Sequence, residues 1–199
     1  MKNKYKAILL TLLLILVLIS FFRHGRVVNK ENADFPEQSD KIGELISSIE
    51  FQVKVSQEDK ASFEGGLAPW ISLDEPEKDI DSLIDADDIV LRYNKFTLLI
   101  DYPLHNPAIF EISTTEKGFS REQLISEISK KYHEIYKEEE TGATQKTIPM
   151  EKREGLSNRN ETNGKYGVWG HDLSGLDLSS IEVFKNSEGK ITLRLGVES

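Results

Sequence analysis

The residue types that can do chemistry concentrate in one short stretch, residues 164–173, which read GKYGVWGHDL. Tyr166 and Trp169 offer flat rings for stacking, and the glycines between them let the backbone approach a ligand closely. His171 offers an imidazole that can act as a base, and Asp172 offers a carboxylate. The candidate ligand- or partner-binding residues are therefore Tyr166, Trp169, His171 and Asp172.

A purely structural interpretation of the same stretch competes with this one. In that interpretation Trp169 plugs the open side of a sheet, the glycines form turns, and Asp172 caps one of them. The burial of Trp169 and the direction of the His171 side chain distinguish the two interpretations.

A hydrolytic site is an alternative. His105 follows a predicted strand that ends at Asp101, and loops at strand ends often carry catalytic groups. These two residues could join His171 and Asp172 in a small cluster. No His-Glu-x-x-His or Gly-x-Ser-x-Gly motif requires such a cluster, however. We therefore prefer a binding domain to an enzyme, and keep a small membrane-anchored hydrolase as the alternative.

The composition excludes several kinds of site. The chain has no cysteine, which excludes disulfides, Cys-ligated metals and a cysteine nucleophile. The acidic run at residues 79–88 lacks the central glycine and the final glutamate of a calcium-binding EF-hand loop. No glycine loop for phosphate precedes a Lys-Ser or Lys-Thr pair. We expect neither a metal nor another cofactor.

The charge of the chain bears on its partners. The net charge is −9, and the first 34 residues hold six of the 25 basic and two of the 34 acidic residues, which leaves −13 for the remainder. Nucleic-acid binding needs a basic surface that replaces phosphate counterions, so no nucleic-acid partner is expected. Anionic lipid repels such a domain as well, and a protein partner fits better.

The amino-terminal sequence predicts a membrane anchor. Between residues 7 and 22, fourteen of sixteen residues are apolar. A helix of this length spans about 24 Å, and Lys6 and Arg23 can extend its reach by snorkelling. We assign residues 1–26 to a single-pass anchor and residues 27–38 to a linker, with the soluble part on the extracytoplasmic side. The alternative is a signal peptide and secretion after cleavage, although no small-x-small cleavage site follows the apolar run.

The hydrophobic pattern of residues 39–199 predicts one α+β domain. We expect an antiparallel-dominated sheet of about five strands with one long helix on one face. Alternating or continuous apolar residues predict strands at 49–55, 89–101 and 108–113, and a hairpin with one strand through Ile181 and Val183 and the other at 191–197.

The helical signals are concentrated after Ser120. Ser120 and Gln123 have the spacing of a capping box, and a stripe of apolar residues follows them. A second, short helix is predicted at residues 40–48. The acidic residues 138–140 oppose the dipole at the end of the long helix, which predicts fraying there. Residues 141–164 lack periodicity and predict a disordered loop.

Overall fold

A computed structural model describes residues 42–153 and 161–199. The predicted anchor at 1–26 and linker at 27–38 lie outside these residues. In the part of the chain that is described, no helix is both long and apolar enough to cross a membrane. The membrane anchor therefore stays a prediction.

The described residues form ten strands, one long helix and several single-turn 3₁₀ helices. The strands are β1 Glu44–Glu50, β2 Val53–Lys54, β3 Leu67–Ala68, β4 Ile71–Ser72, β5 Ile89–Leu91, β6 Lys95–Ile100, β7 Ala108–Ser113, β8 Phe119–Ser120, β9 Asp177–Lys185 and β10 Ile191–Glu198. The long helix is α1, Arg121–Gly142. The 3₁₀ turns are Asp59–Ala61, Glu64–Gly66, Pro76–Lys78, Ile80–Ser82, Met150–Lys152 and Leu173–Gly175.

Six strands form the main sheet, with the order β1-β9-β10-β6-β7 and with β4 paired to the far end of β9. The neighbouring strands are antiparallel except for β10 and β6, which run parallel. The α+β prediction is thus confirmed to the level of one multi-stranded sheet and one long helix. The predicted hairpin is also confirmed, because β9 and β10 pair across a turn in which Gly189 has a φ of +81°.

The start of α1 confirms the predicted capping box. Ser120 Oγ accepts a hydrogen bond from the Gln123 amide at 3.2 Å, and Gln123 Oε1 accepts one from the Ser120 amide at 2.9 Å. The apolar stripe of α1 belongs to the same core as β6, whose residues from Phe96 to Ile100 are all buried. Burial of each such large side chain contributes about 1.5–3 kcal/mol, which is what holds the helix on the sheet.

The short helix predicted at residues 40–48 is wrong over Glu44–Ser48. These residues form most of β1, which pairs with β9 through a bulge between Leu45 and Ser47. The apolar residues Leu45, Ile46 and Ile49 have a spacing compatible with one helix face. Backbone pairing with β9 overrides that local preference.

The predicted fraying at the end of α1 is also wrong. The helix continues through Gly142, and the Ala143 amide donates to the Glu139 carbonyl at 2.9 Å. Glu139 is fully buried, so its side chain does not behave as a solvated acid beside the helix dipole. Its buried contacts offset the unfavourable dipole term, which is worth less than about 1 kcal/mol.

The segment predicted as a disordered loop, residues 141–164, is described except for residues 154–160. Thr141 and Gly142 belong to α1, and the Thr144 and Gln145 amides donate to Asn163 Oδ1 at 3.0 and 2.7 Å. One end of the segment is thus hydrogen-bonded to the other. Limited proteolysis tests whether this segment is accessible to a protease in solution.

We expect limited trypsin digestion of the full-length chain to cut first within residues 141–164. Lys146 and Lys152 are exposed and lie outside the long helix and the strands. The two fragments should stay associated, because α1 and the β9–β10 hairpin share one core. Lys130 is the internal control, since it is exposed but lies within α1. Mass spectrometry and gel filtration report the cuts, and fragments that separate would contradict the prediction.

Candidate functional site

Two neighbouring parallel strands, β6 and β10, end at the same edge of the sheet. Tyr102 lies shortly after the end of β6, and Ser199 follows the end of β10. The Tyr102 hydroxyl lies 2.8 Å from Ser199 Oγ. Ligand sites commonly lie beyond the carboxyl ends of parallel strands, so the topology alone makes this edge a candidate site.

The glycine- and aromatic-rich segment found in the sequence folds onto this edge. Leu104 and Val168 form an isolated antiparallel bridge. Beside it the His105 amide donates to the Gly167 carbonyl, and the Trp169 amide donates to the Pro103 carbonyl, both at 3.1 Å. Two chain segments therefore build the site: the first site loop, residues 101–106, and the second site loop, residues 161–172.

Four rings from the two loops meet around Trp169. Its ring centroid lies 5.2 Å from that of Tyr102 and 5.6 Å from that of His171, both in edge-to-face geometry. The His105 ring lies 6.5 Å away and is tilted by 36°. Edge-to-face pairs of this kind contribute about 0.5–1.5 kcal/mol each beyond area burial. We call Tyr102, His105, Trp169 and His171 the aromatic cluster.

The aromatic cluster is only partly buried. Tyr102, Trp169 and His171 are half-buried, and the His105 side chain is 51% exposed. The Tyr102 hydroxyl lies 2.9 Å from His171 Nε2, and His105 Nε2 lies 2.6 Å from Glu161 Oε1. Trp169 is thus not a fully buried plug. The cluster offers ring surface beside polar ring edges, a combination typical of interface anchors.

The four residues of the hydrolase alternative bind different partners. That alternative combines Asp101, His105, His171 and Asp172. Asp101 pairs with Arg194, and His105 pairs with Glu161. His171 is hydrogen-bonded to Tyr102, and Asp172 pairs with Arg153. Among the described residues, no three His, Asp or Glu side chains are grouped so as to hold a metal ion.

Asp172 forms an ion pair with Arg153 that fastens the second site loop to residues 148–153. One guanidinium nitrogen donates to Asp172 Oδ1 at 2.9 Å, and a second donates to Oδ2. The Arg153 side chain is only 8% exposed, and its Nε donates to the Ile148 carbonyl at 2.7 Å. Hydrogen bonding to Asp172 raises the pKa of the Arg153 guanidinium. Asp172 therefore neutralises a nearly buried cation.

Tyr166, the remaining candidate from the sequence, is buried and does not present its ring at the surface. Its hydroxyl donates to Glu138 Oε2 at 2.8 Å, and the Lys165 ammonium lies 4.6 Å from its ring centroid. Burial raises the pKa of this phenol. Tyr166 therefore fastens the second site loop to Glu138 of α1.

Three polar side chains on one face of α1 hold the backbone of both loops. The Tyr132 hydroxyl donates to the Tyr102 carbonyl, and the Tyr136 hydroxyl donates to the His171 carbonyl, both at 2.9 Å. Glu139 is the third, one turn further along the same stripe. The helix therefore positions the aromatic cluster through backbone contacts.

Glu139 is the most heavily hydrogen-bonded of these side chains. Oε1 accepts from the Thr162 hydroxyl, the Gly164 amide and the Gly167 amide at 2.8, 2.7 and 3.2 Å, and Oε2 accepts from the Tyr166 amide at 2.8 Å. Burial alone would raise the pKa of this carboxyl, but the donors outweigh it and hold the pKa below its usual value. The second site loop is thus built around a buried anion.

The local sequence of the loop fits this anion. A Cβ atom at Gly164 would lie 2.7 Å from the Glu139 carboxylate oxygens, and Gly167 has a φ of +65°. Gly164 permits the close approach, and Gly167 permits the left-handed conformation, each at low cost because neither has a side chain. Gly164 and Gly167 therefore let the loop backbone reach the carboxylate.

Sequence reasoning missed Glu139 and Tyr102. A signal for Glu139 was present, because it continues the apolar stripe of α1 at the spacing of Tyr132 and Tyr136. A signal for Tyr102 lay only in the parallel pairing of β6 with β10, which local periodicity does not reveal.

Comparison with protein-family models, curated proteins and solved structures gives no match for this chain.

Proposed function

We propose that this chain is a membrane-tethered, extracytoplasmic binding domain that captures a protein partner through the aromatic cluster. The observation that carries the proposal is the half-buried ring of Trp169, surrounded by three further rings on two anchored loops. Tryptophan and tyrosine are the residue types most often found as interface anchors. Loops that are already ordered lose little conformational entropy when a partner binds.

The proposal assigns different roles to the four residues picked from the sequence. Trp169 and His171 contact the partner, together with Tyr102 and His105. Tyr166 and Asp172 hold the loop that presents them, because Tyr166 is buried and Asp172 is paired with Arg153. The sequence supports the membrane tether through the apolar run at residues 7–22.

The test combines membrane retention with partner capture. Membranes that contain tagged full-length protein are washed with carbonate and high salt and then treated with a crosslinker. The wild type should stay in the membrane fraction, because hydrophobic burial holds it there and salt does not screen that interaction. It should form a discrete crosslinked species that Trp169→Ala loses by at least about tenfold, since an anchor residue contributes 2 kcal/mol or more.

Trp70→Ala is the matched control for Trp169→Ala. Trp70 is also half-buried and also makes an edge-to-face contact, with Phe63 at 5.6 Å. It should lose stability to a similar extent and retain the crosslinked species. Equal capture by Trp169→Ala and wild type would refute the proposed contact surface. A shortened chain recovered in the supernatant would refute the anchor and support secretion after cleavage.

A further inference from the structure

The second site loop is tied to α1 through one carboxylate. We infer that Glu139 is a positioning residue for partner capture, and that loss of its negative charge releases the second site loop while the sheet stays folded. This inference rests on the proposed function, because capture is one of its readouts. The role in loop order can be tested without any partner.

The contacts of Glu139 require an ionised carboxylate, and a neutral side chain of the same shape does not replace it. The backbone and hydroxyl groups around its oxygens act as donors: the Thr162 hydroxyl and the amides of Gly164, Tyr166 and Gly167. A carboxylate is an acceptor on both oxygens, whereas a glutamine side chain has one acceptor and one donor. Placing the glutamine nitrogen at the Oε2 position would set it against the Tyr166 amide. Placing it at the Oε1 position would set it against three donors.

The anchored residues lead directly to the aromatic cluster. Gly167 donates to Glu139, and only Val168 separates it from Trp169. The Val168 carbonyl accepts from the Thr162 amide at 3.0 Å, and the Thr162 hydroxyl in turn donates to Glu139 at 2.8 Å. Release of the carboxylate would therefore loosen both strands of the loop on which Trp169 sits.

The nearly buried pair of Arg153 and Asp172 holds the far end of the second site loop, outside residues 162–168. Two other charged pairs lie nearer the surface. Glu138 Oε2 is 2.8 Å from Lys165 Nζ, and both side chains are substantially exposed. The pair of His105 and Glu161 is exposed as well. Exposed pairs of this kind contribute little to stability, so they do not replace the buried carboxylate as the anchor.

The experiment uses the full-length chain in detergent micelles. Glu139→Gln is compared with wild type and with Glu134→Gln, which changes an exposed carboxylate on the same helix that pairs with Lys131. Hydrogen exchange followed by mass spectrometry reads the order of residues 162–168. Fluorescence of Trp169 in a Trp70→Phe background reads the environment of the cluster, and crosslinking in membranes reads capture.

In Glu139→Gln we expect hydrogen exchange in residues 162–168 to be at least about tenfold faster than in wild type, because this segment loses its hydrogen bonds to a charged group. Exchange in β9 and β10 should remain slow, the Trp169 emission should shift, and capture should fall. Glu134→Gln should match wild type in every readout. Thr162→Val removes one donor without changing the helix, and it should give a smaller change in the same direction.

Unchanged exchange of residues 162–168 in both Glu139→Gln and Thr162→Val would overturn the inference. Loss of protection in β9 and β10 down to the level of residues 162–168 would also overturn it, since Glu139 would then support the whole domain. Local release with full capture would show that the loop order does not serve binding. If Trp169→Ala fails to reduce capture, the proposed function is refuted. The exchange data still test, independently of capture, whether Glu139 orders the second site loop.

Discussion

Replacing Asp172 with alanine is expected to lower the free energy of unfolding by more than the loss of an exposed ion pair would, because it leaves the nearly buried Arg153 guanidinium without its partner. The Arg153 side chain is 8% exposed and donates two hydrogen bonds to the Asp172 carboxylate. Its Nε is already bound to the Ile148 carbonyl, so the guanidinium is held in place when the carboxylate is lost. Urea unfolding in detergent, followed by circular dichroism, measures the loss.

A double-mutant cycle separates the ion pair from other effects of Asp172→Ala. Arg153→Leu alone should cost less than Asp172→Ala, because Asp172 is 25% exposed and can be hydrated. The double variant should be more stable than Asp172→Ala, since no buried charge is left unpaired. Glu161→Ala breaks the exposed pair with His105 and should cost under about 0.5 kcal/mol. If Asp172→Ala lowers the free energy of unfolding no more than Glu161→Ala does, the ion pair does not hold the loop, and Asp172 would instead be a candidate contact residue for the partner.

The sequence predicted the elements that are encoded by nearby residues. The capping box of Ser120 and Gln123 and the apolar stripe of α1 involve residues within a few turns of one another. The β9–β10 hairpin is likewise defined by a short turn that ends at Gly189. Local geometry decides such elements, so the pattern of residue types is sufficient.

The arrangement of the sheet could not be predicted in the same way. The pairing of β6 with β10 joins Thr97 to Thr192, residues that lie far apart in the chain. Hydrophobic alternation shows which face of a strand is buried, but not which strand lies beside it. The candidate site sits where these two strands end, so its location and the part played by Tyr102 became evident only in three dimensions.

The error at the end of α1 has a similar cause. Local electrostatics alone predicts that Glu139 is one of three acids that destabilise the helix terminus. Its hydrogen-bond donors lie 23–28 residues further along the chain. A buried polar group has to find partners, and here three of the four partners are backbone amides, which carry no sequence signature of their own.

Replacing Glu139 with leucine is expected to lower the free energy of unfolding by about 2 kcal/mol at pH 7, because the second site loop loses the hydrogen bonds that the carboxylate accepts, while its released donors become hydrated. Leucine keeps the apolar contacts of the stripe, which limits the change to the polar groups. Glu134→Leu, at a partly exposed position of the same helix, should lower the free energy of unfolding by less than about 0.5 kcal/mol. Urea unfolding at a series of pH values measures the three proteins.

The loss caused by Glu139→Leu should depend on pH in one direction. The pKa of Glu139 in the folded chain lies below the usual 4.5, because four donors outweigh the effect of burial. The unfolded chain therefore binds more protons than the folded chain near that pH, and the carboxylate stabilises the fold fully above 4.5. As the pH falls through the lower folded pKa, wild type loses this contribution and the leucine variant does not. The difference between the two proteins should thus be constant from neutral pH down to about pH 5 and shrink below it.

Other carboxylates do not obscure this comparison. Hydrogen bonds from Thr97 and Lys95 lower the pKa of Glu111 to about 2, but Glu111 is present in wild type and variant alike, so its contribution cancels in the difference. A gap that stays the same down to pH 3 would show that the ionised form of Glu139 is not what holds the second site loop. A gap that closes only with acid links the charge of one buried side chain to the order of the loop that carries Trp169.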